Sequence, residues 1–281
     1  MPQPSQAPIA RTIGGLWEFS TARVVDLAAL ALSPLAQTCT NPGVNITRAD
    51  AKRDLERMKR DRRDLQRPVV LLNGYHAWAG VICSPRDVLR DCTSRKPDDF
   101  LAISYGLHTD FDRLRETVLR KVRERFGEAQ PLDVVGYSMG GILGRVCASG
   151  DDGMRIERLF TLASPHRGAK LADRITIDSA GRSMRAGSDL LSKLDSEAHP
   201  QSAAAKSGPS FIRCYTQTND PVVGATRASP PGVHPVWVGG TKVLSHFSTL
   251  HNPVLLADLA RHLRGEDPLL PDAAASAATH D

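Results

Sequence analysis

A single serine stands in a sequence context that is typical of a catalytic nucleophile. Segment 133–146 reads Asp-Val-Val-Gly-Tyr-Ser-Met-Gly-Gly-Ile-Leu-Gly-Arg-Val, so that Gly136, Ser138 and Gly140 form a G-x-S-x-G pattern. A serine is well placed for nucleophilic attack when a sharp turn lifts its hydroxyl above a sheet, and such a turn requires small residues two positions before and after it. Gly136 and Gly140 meet this requirement, and Ser138 is therefore the candidate nucleophile.

The predicted elements on either side of Ser138 indicate whether the motif is a nucleophile or a simple turn. Roughly one chain in ten of this composition contains the pattern by chance, and the alternative for an isolated match is a glycine-rich turn. Here an apolar run at 132–135 predicts a strand before the motif, and residues 140–148 predict a helix after it. Gly141 allows that helix to pack closely. This context favours a nucleophile over a simple turn.

The rest of the chain alternates between predicted strands and predicted helices. Several short runs are apolar throughout, as in a sheet that is covered by helices on both faces. Helical patterns lie between them, including residues 112–125. This alternation predicts a mostly parallel sheet of the α/β class. The predicted strands are 68–72, 100–104, 132–135, 159–163, 211–215 and 236–238.

Together these motifs resemble the α/β-hydrolase superfamily, and within it the lipase and esterase branch that includes bacterial triacylglycerol lipases. The resemblance covers about residues 68–263. Besides the serine motif it includes segment 159–168, Leu-Phe-Thr-Leu-Ala-Ser-Pro-His-Arg-Gly, which is similar to the T-x-x-T/S-P-H-x-G segment of bacterial lipases. It implies an α/β-hydrolase fold, and it implies that an acid and then a base histidine follow the serine along the chain.

The resemblance places the base histidine on a loop before the last helix. His246 and His251 both precede the helical run that begins at Pro253, a residue that suits the first turn of a helix. In the lipases that the chain resembles, several residues separate the histidine from this proline, which selects His246 and leaves His251 a local role in the loop or as a cap. His166 precedes the acid in the chain, and we expect it to support the serine turn.

Asp220 is the candidate for the acid that orients His246. It follows the strand predicted at 211–215 and stands in an Asn-Asp-Pro turn, a position similar to that of the orienting aspartate in lipases. The alternative interpretation is a simple turn residue, which is the usual role of this tripeptide. Other aspartates also lie between the serine and the histidine, but within a long insertion. They include Asp178, Asp189 and Asp195.

Acyl transfer through a tetrahedral intermediate requires two hydrogen-bond donors for the developing oxyanion. The backbone amide of Met139, directly after the serine, is the first candidate. The second is the amide of Tyr75, because the segment Leu-Leu-Asn-Gly-Tyr-His at 71–76 is similar to the His-Gly-x loop of lipases. The sequence has Asn73 where that loop commonly has histidine. This difference concerns how the loop is held, since a backbone amide supplies the donor.

Three regions accompany the predicted catalytic domain at 68–264. Residues 1–67 are an N-terminal extension with a charged helix. Residues 167–207 are longer than an ordinary crossover, and they are either an apolar lid over the pocket or an amphipathic segment whose apolar face joins the core. Residues 265–281 end in small and polar residues, and we expect a disordered tail there.

The net charge of +5 is concentrated in one short block. Residues 52–67 contain eight basic and four acidic side chains, which is typical of a solvated helix with ion pairs one turn apart. No aromatic residues are interleaved, as single-stranded nucleic acid would require, and we expect no nucleic-acid partner. We also expect no cofactor, because the sequence contains no phosphate loop, dinucleotide fingerprint or metal cluster.

Composition also bears on the compartment. No run of about 18 uncharged apolar residues is present, and the apolar stretch at 24–35 is a poor signal peptide because Asp26 and Pro34 interrupt it. The five cysteines form no C-x-x-C pair, and a Cys83–Cys92 disulfide stays open as an alternative to reduced thiols. We therefore expect a cytoplasmic protein.

The resemblance implies a serine hydrolase that cleaves carboxylic esters through a Ser138–Asp220–His246 triad and an acyl-enzyme. Its substrate would be a small or lipid-like ester, with transient contact to a lipid surface. The same machinery serves thioesterases and acyltransferases, which differ in the acceptor of the acyl group. A third alternative is a binding protein on an inactive scaffold.

Overall fold

The computed structural model describes residues 44–77, 80–93, 96–105, 110–174, 178–197, 208–241 and 244–271. Most of the predicted N-terminal extension, parts of the insertion and residues 272–281 of the predicted tail lie outside these residues. The described residues contain a six-stranded sheet in the order β2-β1-β3-β4-β5-β6 with all neighbouring strands parallel. The strands are β1 Val69–Leu72, β2 Phe100–Ile103, β3 Leu132–Tyr137, β4 Ile156–Leu162, β5 Phe211–Gln217 and β6 Val236–Val238.

Helices connect the strands, and the predicted α/β architecture is confirmed. The helices are α1 Arg48–Arg60, α2 Gly80–Cys92, α3 Phe111–Phe126, α4 Met139–Ala148, α5 Lys170–Arg174, α6 Ser179–Ser183, α7 Asp189–Glu197, α8 Ser245–Ser248 and α9 Pro253–Arg264. Short 3₁₀ turns occupy Pro97–Asp99, Ala225–Arg227 and Thr249–His251.

The sheet separates two hydrophobic clusters, which explains why its strands are apolar throughout. Side chains alternate between the faces of a strand. In β1, Val70 and Leu72 enter the cluster that contains residues of α3 and α4, whereas Val69 and Leu71 enter the cluster that contains residues of α1, α2 and α9. Because each face is covered by helices, neither set of side chains can be polar without a buried partner.

The charged helix α1 packs on the sheet domain with one face. One face of α1 is buried in the second cluster through Ala51, Leu55 and Met58. The helix also contacts α9. Its charged residues form ion pairs at the surface, such as Arg57 with Glu266 at 2.7 Å. The charged helix of the predicted N-terminal extension therefore packs against the sheet domain.

The chain also stays packed after α9. Gly265 ends the helix in a left-handed conformation, and Leu270 is buried while its amide donates to Asp258 Oδ1 at 2.8 Å. Residues 265–271 are thus ordered where a tail was expected, because Leu270 provides the apolar side chain that anchors them.

Two further features concern the compartment. Within the described ranges, no helix combines the length and the apolar character that crossing a membrane requires. Among these residues Cys83 and Cys92 form no disulfide with each other, and the buried Cys92 thiol donates to the Leu55 carbonyl oxygen at 3.6 Å.

Asp258, on α9, is the centre of a buried polar network that includes side chains of β5. Its Oδ2 accepts from Arg213 Nε at 3.0 Å and from the Tyr215 hydroxyl at 2.7 Å. We expect Asp258→Ala to lower the free energy of unfolding by about 3–5 kcal/mol, because the buried Arg213 guanidinium then loses its carboxylate counter-ion.

Urea unfolding measures this change. Asp152→Ala is the control, because Asp152 also pairs with an arginine, Arg115, but its side chain is 63% exposed. This variant should unfold like the wild type. Equal destabilisation of the two variants would contradict the role given to Asp258.

Candidate active site

Ser138 occupies the sharp turn between β3 and α4. Its φ of 51° lies in the left-handed region, which is uncommon for a residue other than glycine. A Cβ atom at Gly136 would lie 2.5 Å from the Cα of Gly141, and one at Gly140 would lie 2.3 Å from the Leu72 carbonyl oxygen. The turn therefore depends on glycine at both flanking positions of the motif.

The structure brings Ser138, His246 and Asp220 together in one chain of contacts. Nε2 of His246 lies 3.1 Å from the Ser138 Oγ, and Nδ1 lies 2.9 Å from Asp220 Oδ2. All three residues are buried. A histidine that contacts a serine with one ring nitrogen and a carboxylate with the other has the arrangement of a base held in one tautomer.

Asp220 follows β5 and is held by the turn that it begins. Its Oδ1 accepts from the backbone amides of Val222 at 2.8 Å and Val223 at 3.0 Å. These bonds leave Oδ2 directed at His246. Asp220 thus stabilises the turn and also contacts the histidine.

His246 stands on the short helix α8, where the sequence predicted a loop. The neighbouring Ser245 hydroxyl donates to the Thr218 carbonyl oxygen at 2.8 Å, which ties α8 to the end of β5. The Tyr137 ring lies 5.4 Å from the imidazole, and its hydroxyl donates to the His246 carbonyl oxygen at 3.4 Å. Burial raises the pKa of Tyr137, so this donor stays protonated. His251 lies elsewhere, with Nδ1 3.4 Å from the Ser84 hydroxyl.

The other aspartates between the serine and the histidine have different partners. Asp178 contacts His76 at 2.9 Å, Asp195 pairs with Arg145 at 2.9 Å, and Asp189 begins α7. Asp178 and Asp195 therefore pair with groups other than His246.

His166 is enclosed behind the serine turn. Its Nε2 lies 3.2 Å from the Thr161 hydroxyl on β4. Complete burial, with Arg145 and Arg167 nearby, lowers the pKa of His166 well below its ordinary value, and the ring is therefore neutral. The contact that positions His166 is thus with β4, and its support of the serine turn stays a prediction.

The loop at 73–77, called here the oxyanion loop, passes beside Ser138. A Cβ atom at Gly74 would lie 3.4 Å from the Ser138 Cβ. Asn73 holds the loop, because its side chain accepts from the Gly74 amide at 2.9 Å and donates to the Ala77 carbonyl oxygen at 3.1 Å. The side chain of Asn73 thus forms hydrogen bonds to both ends of this turn. The lipases that the chain resembles commonly have histidine at this position.

Both candidate oxyanion donors stand beside Ser138. Met139 is the first residue of α4, and the first amides of a helix have no acceptor within the helix. Tyr75 follows Gly74 on the oxyanion loop, and it lines the same pocket as Ser138. Both residues therefore stay the candidates for the oxyanion donors.

Ser138 opens into an apolar pocket of about 190 Å³. One wall comes from the predicted insertion, in which the Leu171 amide donates to the Val222 carbonyl oxygen at 3.0 Å and the Ala169 amide to the Met184 carbonyl oxygen at 2.8 Å. Leu191 of the insertion is buried in the core instead. The described part of 167–207 therefore lines the pocket and also packs as core. The lining residues are Tyr75, Ser138, Pro165, Ala169, Leu171, Ala172, Gly181, Met184, Val222 and Val223.

Sequence reasoning missed the contact of Asp178 with the oxyanion loop and the part that Val222 and Val223 take in the pocket. No local pattern marks them, because each contact joins segments that are distant along the chain. In the described part of the chain, no group of His, Cys, Asp and Glu side chains is arranged to hold a metal ion.

No family model and no curated protein matches this chain. Among solved structures it is similar to lipase B of Aspergillus fumigatus, with a TM-score of 0.52 and 16% identity over 72% of this chain and 53% of that chain. The protein has an α/β-hydrolase fold. The resemblance indicated by the motifs is thereby confirmed at the level of the fold.

Other α/β-hydrolase structures align less closely. Lipase BlEst2 of Bacillus licheniformis in its propeptide form has a TM-score of 0.49 and 17% identity over 74% of this chain and 52% of that chain. Phospholipase PlaB of Legionella pneumophila, solved with thio-NAD, has a TM-score of 0.46 and 14% identity over 58% of this chain and 44% of that chain. The chain thus spans about half the length of these structures.

In this α/β-hydrolase fold, His246 and His251 are a matched pair for testing the base. We expect His246→Ala to slow labelling of Ser138 by a fluorophosphonate about a thousandfold or more, because nothing then accepts the serine proton. His251→Ala should be labelled at the wild-type rate. Timed labelling followed by gel fluorescence measures both rates, and a slow His251→Ala with a fast His246→Ala would reverse the assignment.

Proposed function

We propose that this protein is a serine hydrolase that cleaves carboxylic esters through an acyl-enzyme. The observation that carries the proposal is the buried contact chain from Ser138 through His246 to Asp220, with distances of 3.1 and 2.9 Å, at the base of an apolar pocket. The fold is similar to that of lipase B of Aspergillus fumigatus, which agrees with this class of reaction, but the proposal rests on the site.

In the first half of the reaction the serine attacks the ester. His246 Nε2 takes the Ser138 proton as Oγ bonds to the carbonyl carbon, while the hydrogen on Nδ1 stays on the imidazole and is donated to Asp220 Oδ2. The backbone amides of Tyr75 and Met139 donate to the oxyanion. When the tetrahedral intermediate collapses, the bond to the leaving oxygen breaks and that oxygen takes the proton from His246.

In the second half water replaces the alcohol. His246 takes a proton from water as the water oxygen bonds to the acyl carbon, and the proton then returns to Ser138 when the acyl–serine bond breaks. The bonds from Val222 and Val223 to Asp220 matter in both halves, since they prevent the carboxylate from turning away from the imidazole.

The pocket favours esters with an apolar acyl or alcohol group. Its lining is carbon-rich and includes the side chains of Leu171, Met184 and Val223. Leu171 is also 45% exposed, and Phe247, next to the catalytic candidate His246, is 52% exposed. These side chains support transient contact with a lipid-like substrate or surface.

The central test is hydrolysis of p-nitrophenyl esters from acetate to octanoate. We expect the wild type to release p-nitrophenol and Ser138→Ala to show no enzymatic release, because the acyl group then has no acceptor. Circular dichroism should show that the variant is folded. Equal activity of the two proteins would contradict the proposal, and added alcohols or thiols would reveal transfer by a change of product.

Leu171→Ala tests the role of the pocket wall. We expect kcat/KM for octanoate, relative to acetate, to fall about three- to tenfold, because the longer chain loses apolar contact. Phe211→Ala is the control, since Phe211 is 39% exposed but lies at the start of β5, whereas Ser138 follows the end of β3. An unchanged ratio in Leu171→Ala would contradict this role.

A further inference from the structure

The carboxylate of Asp178 connects the wall of the pocket with the oxyanion loop. Its Oδ1 accepts from the Gly181 amide at 2.8 Å and caps the first turn of α6. Its Oδ2 lies 2.9 Å from Nε2 of His76, and the Tyr75 hydroxyl donates to the same carboxylate. One side chain thus connects two segments that are separated by 102 positions in the chain.

The protonation states suit this contact. Burial raises the pKa of Asp178, but the bonds from Gly181, His76 and Tyr75 lower it by more, so that the pKa lies below its ordinary value. Burial of Tyr75 and the neighbouring carboxylate raise the pKa of Tyr75 to about 12. At neutral pH the carboxylate is therefore ionised and the hydroxyl keeps the hydrogen that it donates.

The oxyanion loop needs support at the position where Asp178 reaches it. Asn73 braces the two ends of the loop through Gly74 and Ala77. In the middle, His76 has a φ of 49°, and a left-handed backbone of this kind costs about 1–3 kcal/mol unless surrounding contacts hold it. The Tyr75 and His76 rings also pack edge to face at 4.1 Å, so that a contact which holds one ring restrains the other.

We propose that Asp178 is a positioning residue, which holds Tyr75 and His76 against α6 and thereby sets the Tyr75 amide beside Ser138. This inference rests on the proposed hydrolase function. An oxyanion donor acts only when it lies within about 3 Å of the developing charge, and a displacement of about 1 Å can cost on the order of a hundredfold in rate. Asp178 acts on catalysis through the loop and does not touch the substrate.

Asp178→Ser separates the helix cap from the contact with the loop. Serine is a good N-cap and keeps an acceptor for the Gly181 amide, but it is too short to reach His76 and Tyr75 as well. We expect kcat for p-nitrophenyl acetate to fall about ten- to a hundredfold with a smaller change in KM. The short acetyl group limits the effect of the pocket wall on binding.

Asp110→Ser is the matched control. Asp110 caps α3 by accepting from the Asp112 amide at 3.0 Å and the Arg113 amide at 3.2 Å, so its substitution changes a helix cap of the same kind. It should keep the wild-type kcat, and thermal unfolding of both variants shows whether they are equally folded. A fall in kcat shared by the two variants in proportion to lost stability would overturn the proposal.

Tyr75→Phe tests the contact from the other side. This variant removes only a hydroxyl and keeps the amide and the ring, so that folding is little affected. We expect a lower kcat, and we expect the Asp178→Ser Tyr75→Phe double variant to lose less than the product of the single losses, because both remove the same contact. Multiplicative losses, or a wild-type kcat in Tyr75→Phe, would contradict a shared role.

The same experiment distinguishes failure of this inference from failure of the proposed function. Turnover and fluorophosphonate labelling of the wild type test the function itself, and their absence would overturn both proposals. If the wild type reacts and Asp178→Ser reacts equally fast in both assays, only the positioning role is overturned.

Discussion

The left-handed backbone at Ser138 is the constraint on which the candidate site depends. For a residue other than glycine such a conformation costs about 1–3 kcal/mol, and surrounding contacts must hold it. Here the Ser138 amide donates to the Leu162 carbonyl oxygen at 2.8 Å, which ties the turn to β4, and the Gly141 amide donates to the Ser138 carbonyl oxygen at 3.1 Å. The neighbouring strands and α4 therefore maintain a turn that the local chain would not adopt alone.

Close packing of α4 on the sheet follows from the same turn. The glycines at 136, 140 and 141 leave no room for a Cβ atom, and the Leu72 and Asn73 carbonyl oxygens lie against Gly140. Leu72 ends β1 and Asn73 begins the oxyanion loop, so the serine turn and this loop meet at these two residues. The candidate nucleophile and a candidate oxyanion donor are therefore both next to these two residues.

The remaining parts of the site come together because the sheet is parallel. The carboxyl ends of β1, β3 and β5 lie along one edge, and the loops that follow them carry Tyr75, Ser138 and Asp220. Loops of different sequence position can then contribute to one site while the sheet stays rigid. The insertion adds the pocket wall, and Asp178 links that wall to the oxyanion loop.

The sequence by itself determined the features that arise within a few residues. All six strands and the helix that follows Ser138 were predicted, because apolar periodicity and glycine sterics act locally. The three candidate triad residues were also predicted in the sequence, and the structure places them in contact. Here the resemblance supplied their order, which no local pattern contains.

Only the tertiary structure decided which distant groups meet. The apolar stripe of α1 did not reveal that it would pack on α9, and Leu270 did not reveal that it would anchor the chain beyond the last helix. The bond from Asp178 to His76 spans 102 positions, and its existence depends on where the insertion returns to the sheet. Such contacts are set by the path of the whole chain and by which buried polar groups need partners, and neither can be read from a window of neighbouring residues.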